Sequence, residues 1–285
     1  MTNIKPDIWN ADFHHLSQLY NPIIPAFHQL NHNNTQWPNL EEFQNLIDSH
    51  TETIINSQNK PIQFIEQATE CNSFKDQYEP RIYLKGEVQT RLNNWHDFFQ
   101  VLVWHTFPKA KILLNALHYQ ASTKRLSEKK PNRQRSTIEN FLTLFDECGI
   151  VIVSHTTDFL DMIKNFQWQE LFWKNRTEFD SNIECFTFGH AMYEKALSPY
   201  IGMTANAMLI HIDKDFFNLD YSKKLLAIDS LIIENIKTQD TLSPKTLNPF
   251  PILGVPSWYK NNDNLGFYLN ENYFRKGRRK KKSEN

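Results

Sequence analysis

The sequence predicts an α/β fold, a helix-rich single domain built around a small sheet, parallel or mixed. Three observations carry this expectation. Short apolar runs at 150–153, 183–188 and 207–212 alternate with stretches of helical periodicity, the pattern of strands separated by helices. Only seven glycines occur in 285 residues, which argues for long helices and against a turn-dense all-β chain, and leaves little material for phosphate-cradling loops. Forty per cent hydrophobic and 13% aromatic residues suffice for a sizeable core, while 22% charged residues fit a soluble globular protein.

Residues 1–60 read as a helical extension packed on the body. Asp12 to Leu19 is a short helical candidate. Asn39 with Glu42 forms a capping box, and Leu40, Phe43, Leu46, Ile47 and Ile54 continue an apolar stripe to about Asn56. The α/β body is expected over 61–236. It opens with a strand at 61–65, followed by a second over 81–85, where Ile82 and Leu84 alternate with Arg81, Tyr83 and Lys85 ahead of a turn at Gly86.

The stretch from 90 to 118 is the centre of the chain. Residues 95–106 predict a helix with Asn94 as N-cap and Asp97 at its third position. Pro108 ends that helix and opens the next. On this second helix, expected over 108–121, Lys111, Asn115 and His118 stand at i, i+4 and i+7. They make a narrow polar stripe on an otherwise apolar helix, facing either water or a polar site inside the protein. The plainer readings are a cap for Asp97, a satisfied core histidine for His118 and a solvated rim residue for Lys111.

Residues 121–136 are a basic connector, with Arg133 and Arg135 before the next helix; it is either a loop over the site or a solvated surface loop. Ser136 and Glu139 make a further capping box, and Gly149 is placed to stop that helix. An alternative is a strand over 142–145 with a hairpin turn at Gly149. Asp146 and Glu147 fall in the last turn, where the helix dipole disfavours acids.

Helices are expected at 157–166, 168–178 and 223–236. Gly189 or His190 opens another after the second apolar run. His190 and Glu194 lie one turn apart there, able to converge on one ion or proton, and at the carboxyl end of a strand, where ligands gather in parallel sheets. Two ligands fall short of a zinc motif, so a divalent metal is only a minor candidate cofactor.

Residues 237–276 read as an irregular C-terminal wrap punctuated by prolines, and 277–285 as a disordered basic tail. Net charge is -1, yet the tail from Arg275 carries +6 and residues 1–274 carry -7. That asymmetry suggests self-docking or contact with an anionic partner such as RNA or a membrane surface. Cys71, Cys148 and Cys185 are too few and too scattered for a disulfide framework, which fits a reducing cytoplasm. The N-terminus has no apolar signal core, and no run approaches a spanning helix.

Several segments resemble the bacterial family catalogued as domain of unknown function 3025. They are Tyr78-Glu79-Pro80-Arg81-Ile82, Thr90-Arg91 with Asn94-Trp95-His96-Asp97, Phe145-Asp146-Glu147 with Gly149, and Phe188-Gly189-His190-Ala191 with Glu194. Trp104 to Pro108 and Pro199-Tyr200 are also similar, and the resemblance runs from about 62 to 275. Gln100 stands where such proteins often carry asparagine, so the amide is kept. The resemblance implies a shared single-domain design and lends no catalytic residues.

Two functions follow. One is a hydrolase-like acid–base enzyme for a small polar or anionic ligand. His96, His118 or His190 would transfer protons, Asp97 or Glu194 would orient a ring or hold a metal, and Arg81, Arg91, Asn94, Lys111 and Asn115 would bind substrate. The other is a binding or adaptor protein whose basic tail, with Arg133 and Arg135, meets an anionic partner. No nucleophile elbow, P-loop, dinucleotide fingerprint or zincin helix is present.

Overall fold

A computed structural model describes residues 7–30, 35–68, 73–128 and 134–278. Helix α1 (Ile24–Gln29) follows two 3₁₀ turns at Ala11–His15 and Gln18–Ile23, which take the place of the helix expected over 12–19. Helix α2 (Leu40–Asp48) has the predicted Asn39–Glu42 capping box but stops eight residues short of Asn56. Strands β1 (Gln63–Glu66) and β2 (Glu87–Thr90) form a small parallel pair.

Between them lies the first correction. Residues 78–85 are helix α3 (Tyr78–Lys85), not a strand. Pro80 falls in the first turn, where its missing N–H is no loss, and Gly86 closes the helix in the left-handed conformation at φ 80°. The apparent alternation came from Ile82 and Leu84 read over a helix of only eight residues, too short a window to tell the two periods apart.

Helix α4 (Trp95–Thr106) is apolar on nearly every side and is buried along almost its whole length. Asn94 caps it by accepting from the Asp97 N–H at 3.1 Å. Helix α5 (Pro108–Ser127) runs six residues beyond the expected end and absorbs much of the basic connector; Arg133 lies outside the described residues. Helix α6 (Thr137–Cys148) has the Ser136–Glu139 box and excludes the alternative strand.

Strand β3 (Gly149–Ser154) is buried at every position, as a continuous apolar run requires. Helix α7 (Thr157–Lys164) follows. The helix expected over 168–178 is broken: a π turn at Glu170–Lys174 gives way at Asn175 to α8 (Arg176–Asn182). Strand β4 (Ile183–Thr187), helix α9 (His190–Ala196), strand β5 (Thr204–His211) and helix α10 (Tyr221–Thr238) complete the body.

The C-terminal stretch is more regular than expected, adding edge strand β6 (Asn248–Pro251) and the short α11 (Leu265–Tyr268). Pro249 and Pro251 hid β6 in the sequence, but an edge strand tolerates proline on its unpaired side. The main sheet has the order β4-β3-β5-β6. It is mixed: β3 is parallel to β5 and antiparallel to β4, and β5 is antiparallel to β6.

The first sixty residues brace α4 and α9. Trp9 stacks on Trp95 with ring centroids 5.1 Å apart, and the Tyr20 hydroxyl donates to the Tyr193 carbonyl at 3.0 Å. At the other end, the Tyr273 hydroxyl donates to the Met203 carbonyl, and Arg278 donates to the Leu247 carbonyl. The tail expected to meet an anionic partner lies outside the described residues from 279 onward. Cys148 and Cys185 are free thiols, whereas Cys71 lies outside the described residues. Among the described residues no helix is long and apolar enough to cross a membrane.

Candidate functional site

Helices α3, α4, α5, α6 and the start of α9 enclose a cavity of about 570 Å³, a size suited to a small metabolite. Helix periodicity explains what lines it. On α4, His96, Gln100 and Trp104 recur at four-residue steps and face inward together. On α5 the same spacing turns Lys111, Asn115 and His118 to the cavity, so the polar stripe faces a polar interior rather than water. Lys111 and Asn115 are each only 4% exposed. Helix α3 adds Tyr78 and Glu79, and α6 adds Asp146.

His190 arrives by a close backbone approach. The N–H groups of Phe188 and Gly189 both donate to the Gly149 carbonyl, at 3.1 and 2.9 Å. A side chain at 189 would put its Cβ 2.4 Å from the Gly149 nitrogen, so only glycine fits and α9 starts at His190. Because β4 runs antiparallel to β3, its carboxyl end lies beside the start of β3. His190 therefore does not stand at the carboxyl edge of parallel strands, as the sequence suggested.

His190 and Glu194 do converge, but on a third side chain. His96 of α4 meets Glu194 Oε2 through Nδ1 at 2.8 Å and His190 Nε2 through Nε2 at 2.9 Å. On the far side of His190, Nδ1 stands 3.7 Å from Asp146 Oδ2. Asp146 in turn holds Lys111 Nζ at 2.5 Å. The chain Glu194–His96–His190–Asp146–Lys111 thus crosses the site from a half-exposed carboxylate to a buried ammonium.

Proton accounting fixes the states in this chain. Two imidazole nitrogens at hydrogen-bond distance need one proton between them. Burial pushes the His190 pKa down to about 3, helped by the nearby Lys111 and His96 charges and opposed by Asp146. His190 is therefore the neutral ring at ordinary pH. With its proton on Nδ1, the side facing Asp146, the His190 Nε2 accepts from His96 Nε2. The hydrogen bond from His96 holds the Glu194 pKa below the usual carboxylate range despite partial burial. Burial works against ionisation of Asp146, but the Lys111 ammonium beside it outweighs burial and its pKa is lowered.

Glu79 shows the opposite balance. Burial raises its pKa against the opposing pull of His118, the Asn115 hydrogen bond and Lys111, while Asp146 adds to the rise. Its carboxylate accepts from Asn115 Nδ2 at 2.6 Å. Four buried polar atoms on the cavity wall have no hydrogen-bond partner: Tyr78 Oη, Trp104 Nε1, His118 Nδ1 and His190 Nδ1. Buried polar atoms are normally satisfied, so this concentration at one place marks a site that binds something polar.

The remaining expected site residues fall differently. Asp97 is clamped by Arg91, accepting from its backbone N–H at 2.6 Å and from its guanidinium at 3.0 and 2.8 Å. Arg91 is half-exposed at the mouth, and this bond raises its pKa. Asn94 is a cap and does not line the cavity. Arg81 pairs with Glu87 at 2.6 Å, also away from the cavity. Tyr78, Trp104 and Asp146 escaped the sequence reading as site residues. Only Asp146 left a signal, as an acid at the wrong end of a helix. Among the described residues no group of three His, Cys, Asp or Glu side chains is placed to hold a metal ion together.

A family model described as Protein of unknown function (DUF3025) matches residues 62–278. No curated protein and no solved structure matches the chain.

Proposed function

The chain belongs to the DUF3025 family, and we propose that its cavity is the active site of a hydrolase-like acid–base enzyme acting on a small polar substrate. The observation that carries this is the His96–His190 contact at 2.9 Å on the cavity wall, with Glu194 hydrogen-bonded to the outer nitrogen of His96 and Asp146 facing that of His190 at 3.7 Å. His96 is partly open to the cavity mouth, and it serves substrate when one of its ring nitrogens exchanges its Glu194 or His190 partner for the substrate atom. His190, buried and neutral, is the hydrogen-bond partner that orients the His96 ring from behind. Glu194 and Asp146 are positioning residues that fix the ring orientations, the role carboxylates play behind other catalytic imidazoles.

The test is hydrolysis of p-nitrophenyl esters, p-nitroanilides and p-nitrophenyl phosphate by the wild type and by folded His96→Gln and His190→Gln variants. Turnover of one class, reduced about a hundredfold or more in both variants, supports the reading. Absence of turnover across the panel, or equal turnover in the folded variants, rejects it in favour of a non-catalytic binding cavity.

A further inference from the structure

The part of the cavity wall formed by α3 and α5 has its own chemistry. Glu79 stands there beside Tyr78, faced by Asn115, His118 and Lys111 of α5 and Asp146 of α6. Lys111 is committed to Asp146, and Arg91 at the mouth is committed to Asp97. Arg135 at the rim donates to Thr143 Oγ1 at 3.2 Å. Among the described residues lining the cavity, the five carboxylates of Asp76, Glu79, Asp97, Asp146 and Glu147 outnumber these three cations. An incoming anion would find every one of the three engaged and would meet surplus negative charge.

Glu79 is the carboxylate left over in the interior. Among the described residues it makes no ion pair, and it accepts hydrogen bonds only from Asn115. Two neighbouring atoms that can accept are buried: His118 Nδ1 has no partner, and Tyr78 Oη has only Trp104 Nε1 nearby, in no well-formed hydrogen bond. An ammonium group has three N–H donors and one positive charge, and it meets the needs of these three acceptors together.

Resting on the reading of this cavity as a substrate site, we infer that its deep end, formed by Glu79, Tyr78 and His118, binds the amino group of a small primary amine. The bond to be transformed then lies toward His96. Burial raises the Glu79 pKa and a bound ammonium ion opposes that rise, so any proton the carboxyl holds is released on capture. The geometry also accounts for Asn115, which holds Glu79 through both its carboxylate and its backbone carbonyl, at 2.6 and 2.9 Å.

The test is isothermal titration of the full-length protein with ethylammonium and ethanolammonium, and with acetate and phosphate, in two buffers of different ionisation heat. The amines are expected to bind saturably with proton release, and the two anions not to bind. Folded Glu79→Gln should weaken amine binding about tenfold or more and abolish the proton release. Turnover of the chromogenic panel is scored separately from the titration, so failure of amine binding and failure of the catalytic reading are told apart. Failure of the amines to bind, preferential binding of acetate or phosphate, or amine binding unchanged in folded Glu79→Gln would each overturn it.

Discussion

His96 and His190, 94 residues apart in the chain, meet Nε2 to Nε2 at 2.9 Å. Neither helix could supply this pair alone. The contact depends on α4 being capped at Asn94 and on β4 being pinned to β3 so that α9 begins at the cavity wall.

Burial of His190 as a neutral ring makes stability depend on pH. Its folded pKa is about 3 against an ordinary 6.5, so between these values the unfolded chain binds the proton more readily. The contribution is fully present above about pH 6.5 and is lost as pH falls toward 3. Urea midpoints measured across that window should fall with acidity in the wild type, and less steeply in His190→Gln.

Lys111 and Asp146 form a charge pair in which the lysine is 4% exposed. Lys111→Met strands the Asp146 carboxylate and should cost about 3–5 kcal/mol. Lys111→Met with Asp146→Asn removes the stranded charge and should recover a substantial part of that loss. Equilibrium urea unfolding of the two variants checks both statements.

Gly189 has no room for a methyl group, since its Cβ would fall within 2.5 Å of the Cys148 and Gly149 nitrogens. Gly189→Ala should destabilise the fold by more than about 3 kcal/mol or displace His190. Gly277, with nothing within 4 Å of such a Cβ, is the control, and its alanine variant should stay within about 0.5 kcal/mol of wild type.

Trp9 packs between Trp37 and Trp95 and against Phe98, so the N-terminal stretch is part of the core that holds α4. Trp9→Ala should cost about 3–5 kcal/mol in thermal or urea unfolding. A loss below 1 kcal/mol would mean that this stretch is not bracing the helix.

What the sequence disclosed follows the range of each interaction. The stripe Lys111, Asn115 and His118 was legible because helical spacing alone puts those residues on one face. His190 and Glu194 were legible as a convergent pair for the same reason, but their meeting point, His96, was not, because a tertiary contact leaves no local pattern. Asp146 was visible as an acid against the helix dipole, and Lys111 across the cavity explains it. Helix α3 was misread because Ile82 and Leu84 fit a two-residue period over too short a window, and Pro80 reads equally as a strand edge or a first helical turn. Tyr78 and Trp104 looked like ordinary core aromatics. Only the packing of α3 against α5 and α4 shows their polar atoms turned to a shared space.

The most direct measurement of the central claim is the ring-nitrogen NMR spectrum of ¹⁵N-histidine-labelled protein, titrated with pH in the wild type and in His96→Gln. His190 should appear as a neutral ring with its proton on Nδ1 down to about pH 3, and removing the His96 ring should move that titration upward. A His190 ring that titrates near 6.5 and ignores the loss of His96 would contradict the shared proton and, with it, the acid–base site.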